Sequence, residues 1–360
     1  MVLKALKKIL IGLAFFLYII ILFLTFLNMM DHLNFIPTDS FFYGIDFLPA
    51  TWLIVSSIIP LVALLLLGYK KTSFYSAIIF LLFFFFFGDL SLASLFKKNI
   101  NESSYEKVSV VALNVQYYSG GLERVIDTLK NINADFSIIS ENVLNDEQYD
   151  LVKKKIAPNQ LFMGHANSTA IISKYPFIDV KEIELPSHEA SLSGGNDINE
   201  ILKNPHRSFV HAIVSINGTK LNMISIRFIA GRPKDKTFQE NIKWGKYLLE
   251  TQIEEVRFFK SYLSKLEGPI IYGGDLNAPA GSKVIRELNA ISKDAVLESN
   301  LFGAPTFRTS FPTLRIDYIY SMNGVIAKNA KKLSIVVSDH FPIYAEFFIP
   351  KSNLLTLDSK

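Results

Sequence analysis

Three apolar runs, Ile9 to Met30, Leu48 to Tyr69 and Thr72 to Phe96, crowd the N-terminal end of this chain. At about 1.5 Å rise per residue, each is long enough as a helix to cross a hydrocarbon core of about 30 Å. Runs this long divide the sequence into a membrane part, residues 1–98, and a second part that must fold on different terms. The first run follows Lys4, Lys7 and Lys8, as the core of a signal peptide would. It outlasts the roughly 7–15 residues of such a core, and no small-x-small cleavage site follows it. Three retained transmembrane helices are therefore expected, at about 9–30, 48–69 and 72–96. Across the whole chain 19% of residues are charged, below the roughly 25% of a soluble domain, as an embedded segment requires.

The lysines set the expected orientation. Lys4, Lys7, Lys8, Lys70 and Lys71 flank alternate ends of the runs, while the first connection carries Asp31, Asp39 and Asp46 and no lysine. Positive-inside bias places the N-terminus and the Lys70–Lys71 turn in the cytoplasm, so the remainder of the chain lies outside. Lys97 and Lys98 oppose this assignment at the exit of the third run. Asp89 reads as an interfacial acid near a helix end rather than part of an ion path. Three helices with one stray acid form an anchor, not a transporter.

From Ser104 to Pro350 the pattern is that of an α/β domain. Strands are expected at Val108–Val115, Phe136–Ser140, Ala170–Ser173, Phe209–Ile216, Leu221–Arg227, Ile270–Gly273, Ile316–Tyr320 and Ile343–Ile349. Helical periodicity appears at Leu122–Asn131, Gln148–Lys155, Phe238–Leu266 and Ser282–Leu288. Asn217-Gly218 joins two of the strands as a hairpin, and Ser187–Pro205 reads as a long loop. Such a mixture favours two packed sheets with helices outside. Of 37 basic and 33 acidic residues, seven and four precede Asn99, which leaves 30 against 29. A nearly neutral domain lacks the broad basic face of a nucleic-acid binder, although Arg227, Arg232, Lys234 and Lys236 cluster locally. The chain contains no cysteine, which excludes disulfides, thiolate metal sites and cysteine nucleophiles.

Polar residues of one chemical kind stand where the strands end. They are Asn114, Glu141, Asp275 with Asn277 in Gly273-Gly274-Asp275-Leu276-Asn277, Asp317 in Arg315-Ile316-Asp317-Tyr318, and Asp339 with His340 at the opening of the last strand. Alone, each would be taken for a turn former or a helix cap. As a set, carboxylates and amides form a hard oxygen donor group suited to Mg²⁺ or Mn²⁺. A histidine with a carboxylate partner adds acid–base chemistry near neutral pH. Together they are the parts for metal-assisted attack of water on a phosphate.

In type and in order this set resembles the endonuclease/exonuclease/phosphatase superfamily of DNase I-like phosphoesterases, across Val108 to Phe348. Its most specific pieces are Gly274-Asp275-Leu276-Asn277 and Ser338-Asp339-His340-Phe341-Pro342, and the segment Ser168 to Pro176 also matches. The resemblance implies a four-layered α/β sandwich, two packed mixed sheets flanked by helices, over residues 104–350. With the N-terminal spans, the chain resembles a membrane-anchored bacterial branch. It further implies that Glu141, Asn114 and Asp339 serve the metal, that Asp275 orients or deprotonates water, and that Asn277 contacts phosphoryl oxygens. His340 would be polarised by Asp317, and either His340 or Asp275 could be the base.

The chain departs from the family at Arg227. Many relatives end the strand after the hairpin in His-Leu, where that histidine assists the leaving group; here stand Ser225-Ile226-Arg227-Phe228. An arginine cannot donate a proton near neutral pH, but it can clamp an anion. His211, on the neighbouring strand, is either a substitute acid or a structural histidine. The expected function is an integral membrane, Mg²⁺- or Mn²⁺-dependent phosphoesterase that hydrolyses a phosphate ester or pyrophosphate of a phosphorylated, lipid-linked substrate outside the cytoplasm. An extracellular nuclease and a non-catalytic binding protein are the alternatives, and nucleic acid is not the favoured partner.

Overall fold

The structure, a computed structural model, describes residues 2–33, 35–36, 45, 48, 50–96, 100–156, 162–166, 168–186, 207–230 and 237–351. The expected loop at Ser187–Pro205 and the residues Arg232, Lys234 and Lys236 lie outside them. The chain divides into two compact units, residues 1–90 with 279–286, and residues 91–278 with 287–360.

The first unit is helical: α1 (Val2–His32), α2 (Ala50–Leu66) and α3 (Lys70–Phe87). Asn28, buried on α1, donates to the carbonyl oxygens of Ile45 and Leu48 at 3.0 and 2.9 Å, and Ser76 of α3 donates to Tyr18 at 2.7 Å. Asp31 at the end of α1 is fully buried against Lys283, 2.6 Å away. Among the described residues only α1 is long and apolar enough to cross a membrane, over Lys7–Asp31. This corrects the expectation of three spanning helices. Apolarity outruns helix length here: α2 has 17 residues, roughly 25 Å, before the turn at Gly68, which has φ +98°. The third run stops at Phe87, where extended Gly88 ends α3, well short of Phe96.

The second unit holds two six-stranded mixed sheets. The first runs β11 (Ile326–Lys332), β12 (Ile343–Pro350), β1 (Tyr105–Asn114), β2 (Phe136–Ser140), β4 (Thr169–Ser173), β3 (Phe162–Ala166). The second runs β5 (Phe177–Glu184), β6 (Ser208–Ile216), β7 (Thr219–Ser225), β8 (Ile270–Asp275), β10 (Asp317–Met322), β9 (Lys293–Asp294). In each sheet the two central strands, β1 with β2 and β7 with β8, are parallel; the other pairs are antiparallel.

Strand alternation builds the layers. On β1, Val108, Val110 and Ala112 meet Val210, Ala212 and Val214 of β6 and Ile271 of β8 in the core between the sheets. Val111 and Leu113 point the other way, into a second core with Val125, Ile126 and Leu129 of α4 (Leu122–Ile132) and Tyr149 and Val152 of α5 (Asp146–Ile156). Residues buried on both faces explain why the inner strands read as almost unbroken apolar runs. On the second sheet, Phe209 and Tyr272 pack edge-on against Phe259 of the long helix α6 (Phe238–Leu263). That helix opens with a capping box between Thr237 and Glu240.

Short helices α7 (Lys283–Asn289) and α8 (Ala295–Ser299) follow β8. Asp294 caps α8 through the amides of Val296 and Leu297, and also holds buried Arg315 at 2.6 Å, whose guanidinium lies 4.5 Å over the Tyr318 ring. Removing one partner of such a pair costs about 3–5 kcal/mol, so it pins the start of β10. The Asn217-Gly218 hairpin forms with both residues at positive φ, 50° and 85°, as its sequence demands.

Candidate active site

The ends of the inner strands converge on one pocket in the second unit. Gly273 and Gly274 make the convergence sterically feasible. A Cβ at 273 would lie 2.3 Å from the carbonyl oxygen of Tyr318, and one at 274 would lie 2.2 Å from that of Ile226. Without side chains there, β8 closes against its neighbours and delivers Asp275 into the interior, its amide donating to Ser140 Oγ at 3.1 Å. Asp317, at the start of β10, is the cross-strand partner of Asp275, so two buried acids face each other. Like charges placed so repel, and neighbouring donors must answer them.

His340 answers first. Its Nδ1 is 2.8 Å from Asp317 Oδ2, its Nε2 lies 3.4 Å from Asn114 Nδ2 and 3.8 Å from Asp339 Oδ1, and the Phe307 ring packs beside it. Burial alone would lower the imidazole's pKa, but Asp317, Asp275 and Asp339 outweigh burial and raise it to about 10. Burial pushes Asp275 up to about 6, against the lowering influence of His340 and Arg227. Asn114 donates to Asp275 Oδ2 at 3.0 Å, and the Asn277 amide donates to Asp275 Oδ1 at 3.0 Å.

Arg227 is the second answer. The sequence places it inside a strand, yet β7 ends at Ser225, and Arg227 lies on the loop beyond. One of its terminal nitrogens donates to Glu141 Oε1 at 2.6 Å, and its Nε lies 3.8 Å from Asp275 Oδ2. Although burial opposes its charge, Asp275 and Glu141 raise its pKa further. Glu141 itself sits just past β2 at φ 58°. Its carbonyl accepts from Tyr117, in a turn where Gln116, Tyr117 and Tyr118 all have positive φ. Three consecutive non-glycine residues there store strain beside the pocket.

Every residue of the expected set is therefore gathered: Asn114, Glu141, Arg227, Asp275, Asn277, Asp317, Asp339 and His340. The expectation that Asp339 and His340 open the last strand is corrected. β12 begins at Ile343, and His340 instead forms a bridge to Phe307. His211 is absent from the pocket; its ring contacts Tyr262 Oη at 2.7 Å and Asn222 Oδ1 at 3.0 Å, and burial lowers its pKa. Asp275, Asp317 and His340 each offer a ligand atom within 4.8 Å of the others. With Glu141 and Asp339 alongside, the donor set is rich in carboxylate oxygen and fits a hard divalent cation.

Residues of α6 also serve the pocket, unnoticed in the sequence. Fully buried Gln252 donates to the carbonyls of Ile229 and Asn277 at 2.8 and 3.1 Å, tying the Arg227 loop to the Asn277 loop. Glu255 accepts from the Ile229 amide at 2.9 Å and from Arg207 Nε at 2.6 Å. Their sequence signal is a short polar group, Thr251, Gln252 and Glu255, on a helix face otherwise built from apolar residues.

Similar folds are known among solved structures. An endonuclease/exonuclease/phosphatase from Beutenbergia cavernae superposes with a TM-score of 0.51 at 16% identity, covering 68% of this chain and 72% of its own. A mannosyl-6-phosphatase from Bacteroides thetaiotaomicron gives 0.51 at 13% identity, covering 67% of this chain and 99% of its own. An endonuclease/exonuclease/phosphatase from Bacteroides vulgatus gives 0.50 at 15%, with 68% and 99% covered. No curated protein matches the chain in sequence. At these identities the superpositions establish the fold, while the model of the endonuclease/exonuclease/phosphatase family matches residues 111–340, from β1 through His340. Strand order, the gathered acids and that match agree, and the chain belongs to the endonuclease/exonuclease/phosphatase family.

Proposed function

We propose that this phosphoester hydrolase is membrane-anchored, uses Mg²⁺ or Mn²⁺, and cleaves a lipid-linked pyrophosphate or phosphate outside the cytoplasm. Arg227 carries the choice of substrate. A permanently charged guanidinium beside Glu141 and Asp275 cannot protonate an alkoxide, but it stabilises a departing phosphate that needs no proton. The near-neutral charge of residues 99–360, 30 basic against 29 acidic, argues against a nuclease.

Glu141 and Asp339, with Asn114 beside them, are the residues that would hold the cation. When bound it would withdraw charge from the phosphoryl group. Asp275, whose carboxylate Asn114 and the Asn277 amide hold in place, takes the proton from the attacking water. His340, its Nδ1 held by Asp317, presents Nε2 as a donor to the charge on the phosphoryl oxygens. Asn277, whose Nδ2 also bonds the Phe228 carbonyl at 3.0 Å, orients the phosphoryl oxygens, and Arg227 receives the leaving phosphate.

Purified full-length protein in detergent, assayed with Mg²⁺ against a lipid pyrophosphate, a phospholipid and DNA, tests the substrate class. The expected result is preferential cleavage of the pyrophosphate, with Arg227→His shifting the ratio of kcat/KM toward phosphodiesters. DNA cleavage above lipid cleavage, or an unchanged ratio in the variant, would refute it.

A single crossing by α1 leaves residues 91–360 opposite the N-terminal lysines. A reporter enzyme fused after Lys360 is then expected to be active only outside the cytoplasm. Activity inside would overturn the orientation.

A further inference from the structure

Building on the metal-assisted function above, we propose that Arg227 stands in for a second metal ion, so that the pocket takes one divalent cation and the guanidinium is its built-in companion charge. The guanidinium contacts Glu141 at 2.6 Å and faces Asp275 at 3.8 Å, and its side chain is only 13% exposed. A single fixed positive charge thus lies between two acids that could otherwise share an ion.

The state of the carboxylates points the same way. Two metal ions in a phosphoryl-transfer site lie about 3.5–4 Å apart, where their mutual repulsion demands a carboxylate between them. Asp275 is the central acid, but both its oxygens already accept from this chain's own donors, Oδ1 from the Asn277 amide and Oδ2 from Asn114. Asp317 Oδ2 is engaged by His340. Asp275 and Asp317 are almost closed to solvent, with side chains 1% and 4% exposed, whereas Glu141 and Asp339 are 14% and 38% exposed. Among the described acids of the set, Asp339 and Glu141, the latter through the oxygen that Arg227 does not hold, are thus the pair open to an entering cation.

Arg227 also meets Asp275 in the way an ion would. Its Nε is buried without a hydrogen-bond partner and lies 3.8 Å from Asp275 Oδ2. The guanidinium therefore acts on Asp275 by charge rather than by a hydrogen bond, as an ion there would. The protein would then provide by covalent chain what a second ion provides elsewhere, independent of metal supply.

Metal counting tests this directly. Full-length protein in detergent is titrated with Mn²⁺, bound ions are counted by equilibrium dialysis, and the paramagnetic resonance spectrum is examined for a spin-coupled pair. Wild type and Arg227→Lys are expected to bind one Mn²⁺ per chain with no coupled signal. Arg227→Ser is expected to bind a second, weaker ion and to show the coupled spectrum. Two ions in wild type, or a single ion in folded Arg227→Ser, would overturn the inference. If Arg227→Ser fails to fold, Arg227→Gln replaces it, and the wild-type count remains decisive. No Mn²⁺ on folded wild type would instead defeat the metal-assisted function on which the inference rests.

Discussion

Glu141→Gln is expected to bring Mg²⁺-dependent hydrolysis below detection while the protein remains folded. Glu141 is the acid that both reaches solvent and carries the contact to Arg227, so one substitution removes a cation donor and unseats the companion charge. Glutamine is the informative replacement because its shape keeps an oxygen near the guanidinium. Alanine would leave a buried arginine short of its nearest partner, and unpaired buried charges destabilise by several kcal/mol. The measurement is turnover across a Mg²⁺ series, alongside circular dichroism of the same sample. Chelation of wild type with EDTA should reproduce the loss, and Mg²⁺ should reverse it. Chelator-resistant turnover, or an active Glu141→Gln, would rule out a metal mechanism.

Asp275→Asn and His340→Ala are each expected to lower kcat by at least about 10², the lower end of acid–base contributions. They should do so with different pH signatures. Asp275 acts in its charged form, and its pKa is raised to about 6, so wild-type activity should fall as pH drops through that region. His340 acts in its protonated form, with a pKa raised to about 10, so the alkaline limb should begin only there. Asp275→Asn should erase the acidic limb of the residual activity and leave the alkaline one. An acidic limb that is lost in His340→Ala and kept in Asp275→Asn would reverse the two roles and make the histidine the base.

The inner strands were legible because their residues are apolar on both faces. β1, β2, β4, β6, β7, β8, β10 and β12 all fall where the sequence expects them, within a few residues. The strands it passes over are β3, β5, β9 and β11, which are the four edges of the two sheets. For β5, β9 and β11 the invisibility has a cause, whereas β3 carries no charged residue and is merely short. An edge strand exposes unpaired backbone and is guarded with charge, as by Lys328, Lys331 and Lys332 on β11, whose register also slips between Lys328 and Lys331. The alternating apolar signal is diluted by the residues that prevent edge-to-edge association. Helix length in the first unit failed for a related reason, since hydropathy does not register the turn at Gly68 or the stop at Gly88.

By itself the sequence determined the kinds of residue in the site and their order along the chain, because carboxylates, amides and one histidine at strand ends suit few chemistries besides phosphate hydrolysis. Partnership could not be read from it. Asn114 and Asp275 are 161 residues apart, and Arg227 and Glu141 are 86 apart; only packed sheets bring such pairs within bonding distance. Tertiary structure also decided that His211 turns to Tyr262, that Gln252 fastens two loops from behind, and that Arg227 is buried between acids rather than closing a strand at the surface. Local pattern specifies which face of a strand a side chain takes, whereas the charge surrounding it is set by chain segments that approach only when the two sheets pack.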